Sequence, residues 1–145
     1  MIADECLEWL RFAHMDISAA QDLYIKQQNP RHRPFEIILY HCHQGAEKAL
    51  KAYIVQHGKF TRDLQIHNLF ILRTACEQLD ANFNKPRIIG HCSSLQPFAI
   101  AIKYPSHALQ LDSSIALSGI NSAKRIYNFV CARLGLDEKY ILEIP

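Results

Sequence analysis

Apolar residues recur every three or four positions along almost the whole chain, which is the spacing of a helix face. The first such segment predicts a helix from about Asp4 to Gln27, ended by Asn29 and Pro30. Its apolar stripe consists of Leu7, Leu10, Ala13, Ile17, Ala20 and Tyr24. No two alternating runs are joined by Asn-Gly or Asp-Gly, so the sequence gives no convincing hairpin. The pattern predicts an all-α fold.

A second helix is predicted from near Pro34 to His57. A proline suits the first turn of a helix, where its missing N–H is not needed, and Gly58 supplies a C-terminal stop. The inward stripe consists of Ile38, Cys42, Gly45, Ala49 and Ala52. Because several of these side chains are small, a neighbouring helix can approach closely. We therefore expect this helix to be the central element of the fold.

A third helix is predicted from Leu69 to Leu79. Either His67 or Asn68 can cap its first turn, because both precede the apolar run. For His67 we favour this capping role over a role as a ligand-binding residue.

Two more helical segments follow. The fourth, about Lys85 to Lys103, is expected to kink or break near Pro97 and to end by Tyr104-Pro105. The fifth is capped by Asp112 or Ser113 and stops at Gly135. The chain is thus expected to contain five helical segments and no sheet.

The 145 residues are predicted to form a single domain, since no repeat and no linker-like stretch is visible. With 49% hydrophobic and 21% charged residues, the composition excludes a disordered or low-complexity chain. The tail from Leu136 to Pro145 is apolar enough to dock on the bundle or on a partner.

The formal net charge is only +2. We interpret the charges as evenly spread, which argues against a duplex-DNA binder but leaves a local basic cluster open. Asp4 and Glu5 stand where a signal peptide carries basic residues, and no apolar run reaches about 18 residues. We therefore predict a cytoplasmic protein that does not associate with membranes.

The five cysteines are an odd number, and no two form a Cys-x-x-Cys pair. They are Cys6, Cys42, Cys76, Cys92 and Cys131. Each falls among apolar residues at helical spacing, where a free thiol acts as a small hydrophobe. This pattern argues against a disulfide framework and a zinc ribbon.

Three stretches occur in order: His41-Cys42-His43-Gln44-Gly45-Ala46-Glu47-Lys48-Ala49-Leu50-Lys51-Ala52, then His67-Asn68-Leu69, then Lys103-Tyr104-Pro105. Together they resemble the HEPN family. Its small prokaryotic members typically carry Gln-x-Ala-Glu-Lys-Ala-Leu-Lys-Ala on the second helix, His-Asp-Leu opening the third and Arg-Tyr-Pro ending the fourth. The match covers roughly residues 5–134, and the second-helix string is its most specific part.

The resemblance implies an up-and-down bundle of four long helices and a short one, often a homodimer, encoded beside or fused to nucleotidyltransferases. It also implies nucleotide binding or RNA cleavage. The ribonuclease branch uses an Arg followed after four to six residues by a His, and the two meet in a dimer cleft. Lys103 and His107 depart from this pattern, because three residues separate them and Lys lacks the planar fork of Arg. Three residues also separate Arg87 from His91.

Lys48 and Lys51 lie with Glu47 on a polar stripe of the second helix. The simplest interpretation is an i, i+4 ion pair between Glu47 and Lys51, contributing a few tenths of a kcal/mol. The alternative is that His43 and Glu47 begin a metal or phosphate site. His41 and His43 cannot coordinate one metal ion by themselves, since residues two apart point to different sides of a helix. We therefore predict no metal and no cofactor.

The remaining candidate site is formed by Lys103, Tyr104 and His107. One interpretation is a helix-ending loop whose tyrosine closes the end of the bundle. The other is a site where a cation, an aromatic face and an imidazole hold a nucleotide or RNA phosphate. His67 and the Lys48/Lys51 side of the second helix would then help. Lys103 and His107 are the candidate catalytic pair.

Two hypotheses from different classes follow. The favoured one is a non-catalytic, dimeric HEPN-like module that binds a nucleotide or partners a nucleotidyltransferase, because the expected spacing of Arg to His is missing. The alternative is a toxin-like, metal-independent HEPN ribonuclease acting at a dimer cleft. A bundle with a purely structural role is a third hypothesis.

Overall fold

The structure, a computed structural model, describes residues 1–26, 34–99 and 111–144. Its α-helices are α1 (Asp4–Lys26), α2 (Phe35–Gln56), α3 (Leu69–Leu79), α4 (Pro86–Leu95) and α5 (Ser113–Arg133). Short 3₁₀ helices cover Arg62–Leu64, Ala81–Phe83, Gln96–Ala99 and Glu138–Tyr140. The described ranges contain no strand, so the predicted all-α bundle is confirmed. The predicted end of the first helix at Asn29 and Pro30 lies outside these ranges.

Helix α2 is the central element, as predicted, because it packs against α1, α3 and α5. Its contact with α1 is close at Gly45. A Cβ added there would lie 2.7 Å from Cγ1 of Ile17 and 3.3 Å from the carbonyl oxygen of Ala13. The glycine thus lets the two helices approach, and the predicted inward stripe of α2 is confirmed.

The helix ends follow the sequence signals with one correction. Asn68 caps α3, since its side chain accepts hydrogen bonds from the N–H groups of Phe70 and Ile71. The predicted cap at His67 is wrong, because the imidazole is engaged elsewhere, as described below. Asp112 caps α5 by accepting from the N–H of Ile115.

The fourth helix breaks near Pro97, as predicted. The α-helical part ends at Leu95, and Pro97 lies within the 3₁₀ turn Gln96–Ala99 that follows. Gly90 lies inside α4 without interrupting it. The predicted continuation to Lys103 and the end at Tyr104-Pro105 fall outside the described residues.

The core is built from aliphatic and aromatic side chains and all five cysteines, which are buried and free. The tail docks on the bundle. Asn128 of α5 donates to the carbonyl of Leu142 over 2.8 Å and accepts from the N–H of Leu142 over 2.7 Å. Lys124 also donates to the carbonyl of Glu143.

No helix in the described part of the chain is both long and apolar enough to cross a membrane.

Candidate functional site

Helix α2 carries a buried ion pair. Glu47 and Lys51, one turn apart, are only 2% and 5% exposed. Nζ of Lys51 donates to Oε2 of Glu47 over 2.9 Å. The predicted i, i+4 pairing is therefore present, but it is buried and does not form part of an exposed polar stripe. Charges removed from water in this way depend on each other far more than a surface pair does.

His67 reaches the same carboxylate from the loop before α3. Its Nδ1 lies 2.8 Å from Oε1 of Glu47, so both carboxylate oxygens are engaged. The His67 side chain is nevertheless 69% exposed. Because Nδ1 faces the carboxylate, Nε2 is left on the solvent side of the ring. The cluster thus presents an exposed imidazole whose orientation is fixed by a buried acid.

Gln96 holds the loop that carries His67. Its side-chain oxygen accepts a 2.7 Å hydrogen bond from the N–H of Leu69, and its amide nitrogen lies 3.5 Å from the carbonyl oxygen of His67. Gln96 begins the 3₁₀ turn after α4. The turn that follows Leu95 therefore helps to position the imidazole.

His43 forms the inner edge of the same cluster. Its side chain is fully buried, and its Nδ1 lies 3.8 Å from Oε1 of Glu47. Neither ring nitrogen has a hydrogen-bond partner among the described residues, although Gln96 and the His67 backbone approach the ring without good hydrogen-bond geometry. Burial lowers the pKa of His43, and the nearby Glu47 carboxylate opposes this effect. Burial thus favours the neutral form of this ring beside a charged pair.

Two aromatic rings flank Lys51. Its Nζ lies 5.7 Å from the ring centre of Trp9 and 6.0 Å from that of Phe60. The two rings meet edge to face, with centroids 5.5 Å apart. Cation–π attraction and the Glu47 carboxylate together compensate the desolvation of the ammonium group.

Lys48 belongs to a second polar cluster. Its Nζ donates to Oδ2 of Asp16 on α1 over 2.6 Å, and Nδ1 of His41 lies 2.9 Å from the other oxygen. Burial raises the pKa of Asp16, but the hydrogen bonds from His41 and Lys48 outweigh it and hold the pKa below its usual value. The structure therefore divides Lys48 and Lys51 between two different carboxylates.

Lys103, Tyr104 and His107, the remaining predicted site residues, lie outside the described residues. In the chain they follow the 3₁₀ turn that begins with Gln96. Of the predicted ligand-binding residues, the structure brings Lys51 and His67 together at Glu47, and it places Lys48 with Asp16.

Sequence reasoning missed two partners of these residues. Asp16 directly precedes Ile17 of the inward stripe of α1, and a carboxylate at the edge of such a stripe is a recognisable signal for a cation on the neighbouring helix. Gln96 gives no such signal, because its role depends on where the turn after α4 places it. Among the described residues, no group of three or more His, Cys, Asp and Glu is arranged to hold a metal ion.

Of the comparisons with known proteins, only the one with family models gives a match. No curated protein and no solved structure gives a significant match. A family model described as the HEPN domain matches residues 6–135, nearly the whole chain. The resemblance inferred from the second-helix string is confirmed, and the chain belongs to the HEPN family.

Proposed function

We propose that this chain is a dimeric, non-catalytic HEPN module that binds the phosphate of a nucleotide or RNA, acting with a nucleotidyltransferase partner. One observation carries the proposal: the exposed imidazole of His67 is held through Nδ1 by the buried carboxylate of Glu47. Because Nδ1 donates to the carboxylate, the outward-facing Nε2 is an acceptor in the neutral ring and a preoriented hydrogen-bond donor in the imidazolium form. Phosphate oxygens are acceptors for such a donor.

The charges of the cluster favour an anion over a cation. Lys51 neutralises Glu47, so the buried acid does not repel an anion that approaches His67. This explains how a carboxylate can orient the imidazole without preventing phosphate binding.

Lys103, Tyr104 and His107 complete the proposed site. Lys103 supplies a second cation, Tyr104 an aromatic face and His107 a second imidazole. Lys51 acts through Glu47 as a positioning residue. Lys48, paired with Asp16, contributes charge at longer range.

Apolar side chains beside His67 support a role for a protein partner. Phe70 and Ile71, in the first turn of α3, are 41% and 49% exposed. Exposed apolar residues next to a polar site are typical of a surface that another protein covers. An adjacent gene for a nucleotidyltransferase would support this partner, and its absence would weaken the case.

A metal-independent ribonuclease is the second candidate function. A histidine oriented by a carboxylate is a suitable general acid or base near neutral pH, which favours catalysis at His67. Two features favour binding without catalysis. Only three residues separate Lys103 from His107, and Lys103 stands where the ribonuclease branch carries Arg.

The binding proposal is tested by titrating ATP and a short labelled RNA into the full chain at low salt. His67→Gln, Lys103→Ala and His107→Ala are expected to weaken binding, whereas Lys26→Ala, which removes an exposed cation in the last turn of α1, serves as the matched control. Binding is also expected to weaken as salt rises, because contacts to phosphate are screened. Unchanged affinity in all three site variants would refute the proposed site.

A further inference from the structure

A cavity of about 400 Å³ lies between α1, α5 and the tail. Small-molecule sites usually enclose about 300–1,000 Å³, so a compact ligand would fit here. The cavity shares no lining residue with the His67 cluster. The site proposed above therefore does not account for it.

The cavity has an apolar and partly aromatic floor. Leu10 of α1 and Tyr127 of α5 both line it and are only 2% and 3% exposed. Tyr140 of the tail adds a second aromatic ring, and Leu7 and Leu142 add aliphatic side chains. An apolar ring that enters this space is removed from water, which is the main driving force for binding in such a cavity.

The tail forms one wall of the cavity and is held in a defined position. Gly135 has a φ of 73°, a left-handed conformation that favours glycine, and it redirects the chain after α5. The 3₁₀ turn Glu138–Tyr140 then brings Lys139 to the lining. Asn128 fixes the backbone of Leu142 by donating to its carbonyl and accepting from its N–H. The cavity thus depends on a docked tail.

The charged side chains of the lining include one more cation than acid. Arg11 and Lys139 stand against Glu8, and His14 adds an imidazole. Arg11 and Glu8 form an ion pair of 2.6 Å. Lys139 forms no ion pair with a carboxylate within the described ranges, and its Nζ lies 5.5 Å from the ring centre of Tyr140. A ligand with one negative charge would balance this lining, whereas a second negative charge would be left without a cation of its own.

The guanidinium of Arg11 has donors left for a ligand. It carries five N–H groups. Nε and Nη2 donate to the two carboxylate oxygens of Glu8 over 3.2 and 2.6 Å. Nη1 lies 3.5 Å from Sδ of Met15, which also lines the cavity. Because a thioether sulfur is a weak acceptor, a carboxylate oxygen of a ligand would be the better partner for Nη1.

We propose that the cavity between α1 and the tail binds a small aromatic monocarboxylate. The carboxylate is held by Nζ of Lys139 and Nη1 of Arg11. The aromatic ring packs on Leu10 and between the rings of Tyr127 and Tyr140, since aromatic rings favour offset and edge-to-face contacts. The proposal goes beyond the proposed function and does not rest on it.

The test uses the full chain in nuclear magnetic resonance titrations at low salt. The probes are 3-phenylpropanoate, 3-phenylpropan-1-ol and 3-phenylpropylammonium, which share one body and differ in the charge of the head group. We expect the carboxylate to bind about tenfold more tightly than the alcohol, because it gains hydrogen bonds between charged groups. The ammonium compound should bind most weakly. The shifted signals should be those of Leu10, Tyr127 and the tail.

Two variants examine the head-group contact and the tail wall separately. Lys139→Gln changes an exposed side chain, so the fold should be kept, and it should weaken binding of the carboxylate about threefold or more without changing binding of the alcohol. Asn128→Ala frees the tail and should weaken binding of both compounds. Lys85→Gln is the matched control, because this exposed lysine also lies near an aromatic ring, 5.7 Å from the ring centre of Phe129, but does not line the cavity.

Three results would overturn the proposal. The first is equal affinity of the parent protein for the carboxylate and the alcohol. The second is unchanged affinity for the carboxylate in Lys139→Gln. The third is binding that disappears as the protein concentration rises, which would identify a second copy of the chain as the occupant of the cavity.

Discussion

Nδ1 of His67 lies 2.8 Å from Oε1 of Glu47, which joins an exposed imidazole at the start of α3 to a carboxylate buried on α2. The other oxygen of Glu47 binds Lys51. The acid therefore has two functions: it compensates a buried ammonium group, and it orients the imidazole that we place at the ligand site.

Glu47→Gln should strongly destabilise the fold. Removing the acid leaves the ammonium of Lys51 buried without its counter-charge, and breaking a buried pair in this way typically costs about 3–5 kcal/mol. Chemical denaturation measures the loss of free energy of unfolding. Glu47→Leu combined with Lys51→Met should recover much of it, because the double variant leaves no unpaired charge.

The matched control is Glu8→Gln, which breaks the surface pair between Glu8 and Arg11. Both side chains of that pair are 55% exposed, so the loss should be far smaller than that of Glu47→Gln. Similar losses for the two glutamate variants would show that the Glu47 pair behaves like a solvated one.

Gly45→Leu should destabilise the protein by about 1–3 kcal/mol or more, because a side chain at this position would collide with Ile17 of α1. Gly90→Ala is the control within another helix. A Cβ at Gly90 meets nothing within 4 Å, and replacing a helical glycine by alanine typically stabilises by about 0.5–1 kcal/mol. Thermal melts should therefore move in opposite directions for the two variants. Equal melting temperatures for Gly45→Leu and the parent would contradict the packing of α1 on α2.

The free energy of unfolding should fall as the pH drops from about 7 to 5. Burial lowers the pKa of His43 in the folded protein, whereas the unfolded chain keeps the ordinary value. The unfolded state therefore binds more protons in this range, and acid favours it by up to about 1.4 kcal/mol per pH unit for one group. His43→Leu removes this group and should flatten the dependence. Identical pH slopes for parent and variant would contradict a neutral, buried His43.

The protein should self-associate. Helix α1 offers a second copy two exposed apolar side chains one turn apart: Phe12 and Met15 are 42% and 52% exposed. Light scattering at micromolar concentration should give twice the chain mass of 16.7 kDa. Phe12→Asp combined with Met15→Asp should restore the monomer, whereas Ile25→Asp, on another face of α1, should not. A monomeric parent would count against the dimer.

The helices and their central element could be predicted because each depends on local spacing and end signals. The stripe containing Gly45, the cap at Asp112 and the break near Pro97 are all visible within a few residues of sequence. The site was harder to predict from the sequence, because the burial of a side chain depends on residues that are distant in the chain. Glu47 and Lys51 look like a surface pair in the sequence, but both are buried, and Trp9 and Phe60 flank the ammonium group of Lys51. His67 resembles a cap until its ring is seen to reach Glu47, which is twenty positions earlier in the chain.

The central claim is that the His67 site binds a phosphate-bearing ligand without cleaving it. The most direct measurement is to incubate a labelled single-stranded RNA with the parent protein, His67→Gln and His107→Ala, and to follow binding and RNA integrity in the same tubes. The account predicts that the parent binds RNA and leaves it intact, and that binding weakens in both variants. RNA cleavage by the parent that is lost in His107→Ala would contradict it and establish the ribonuclease.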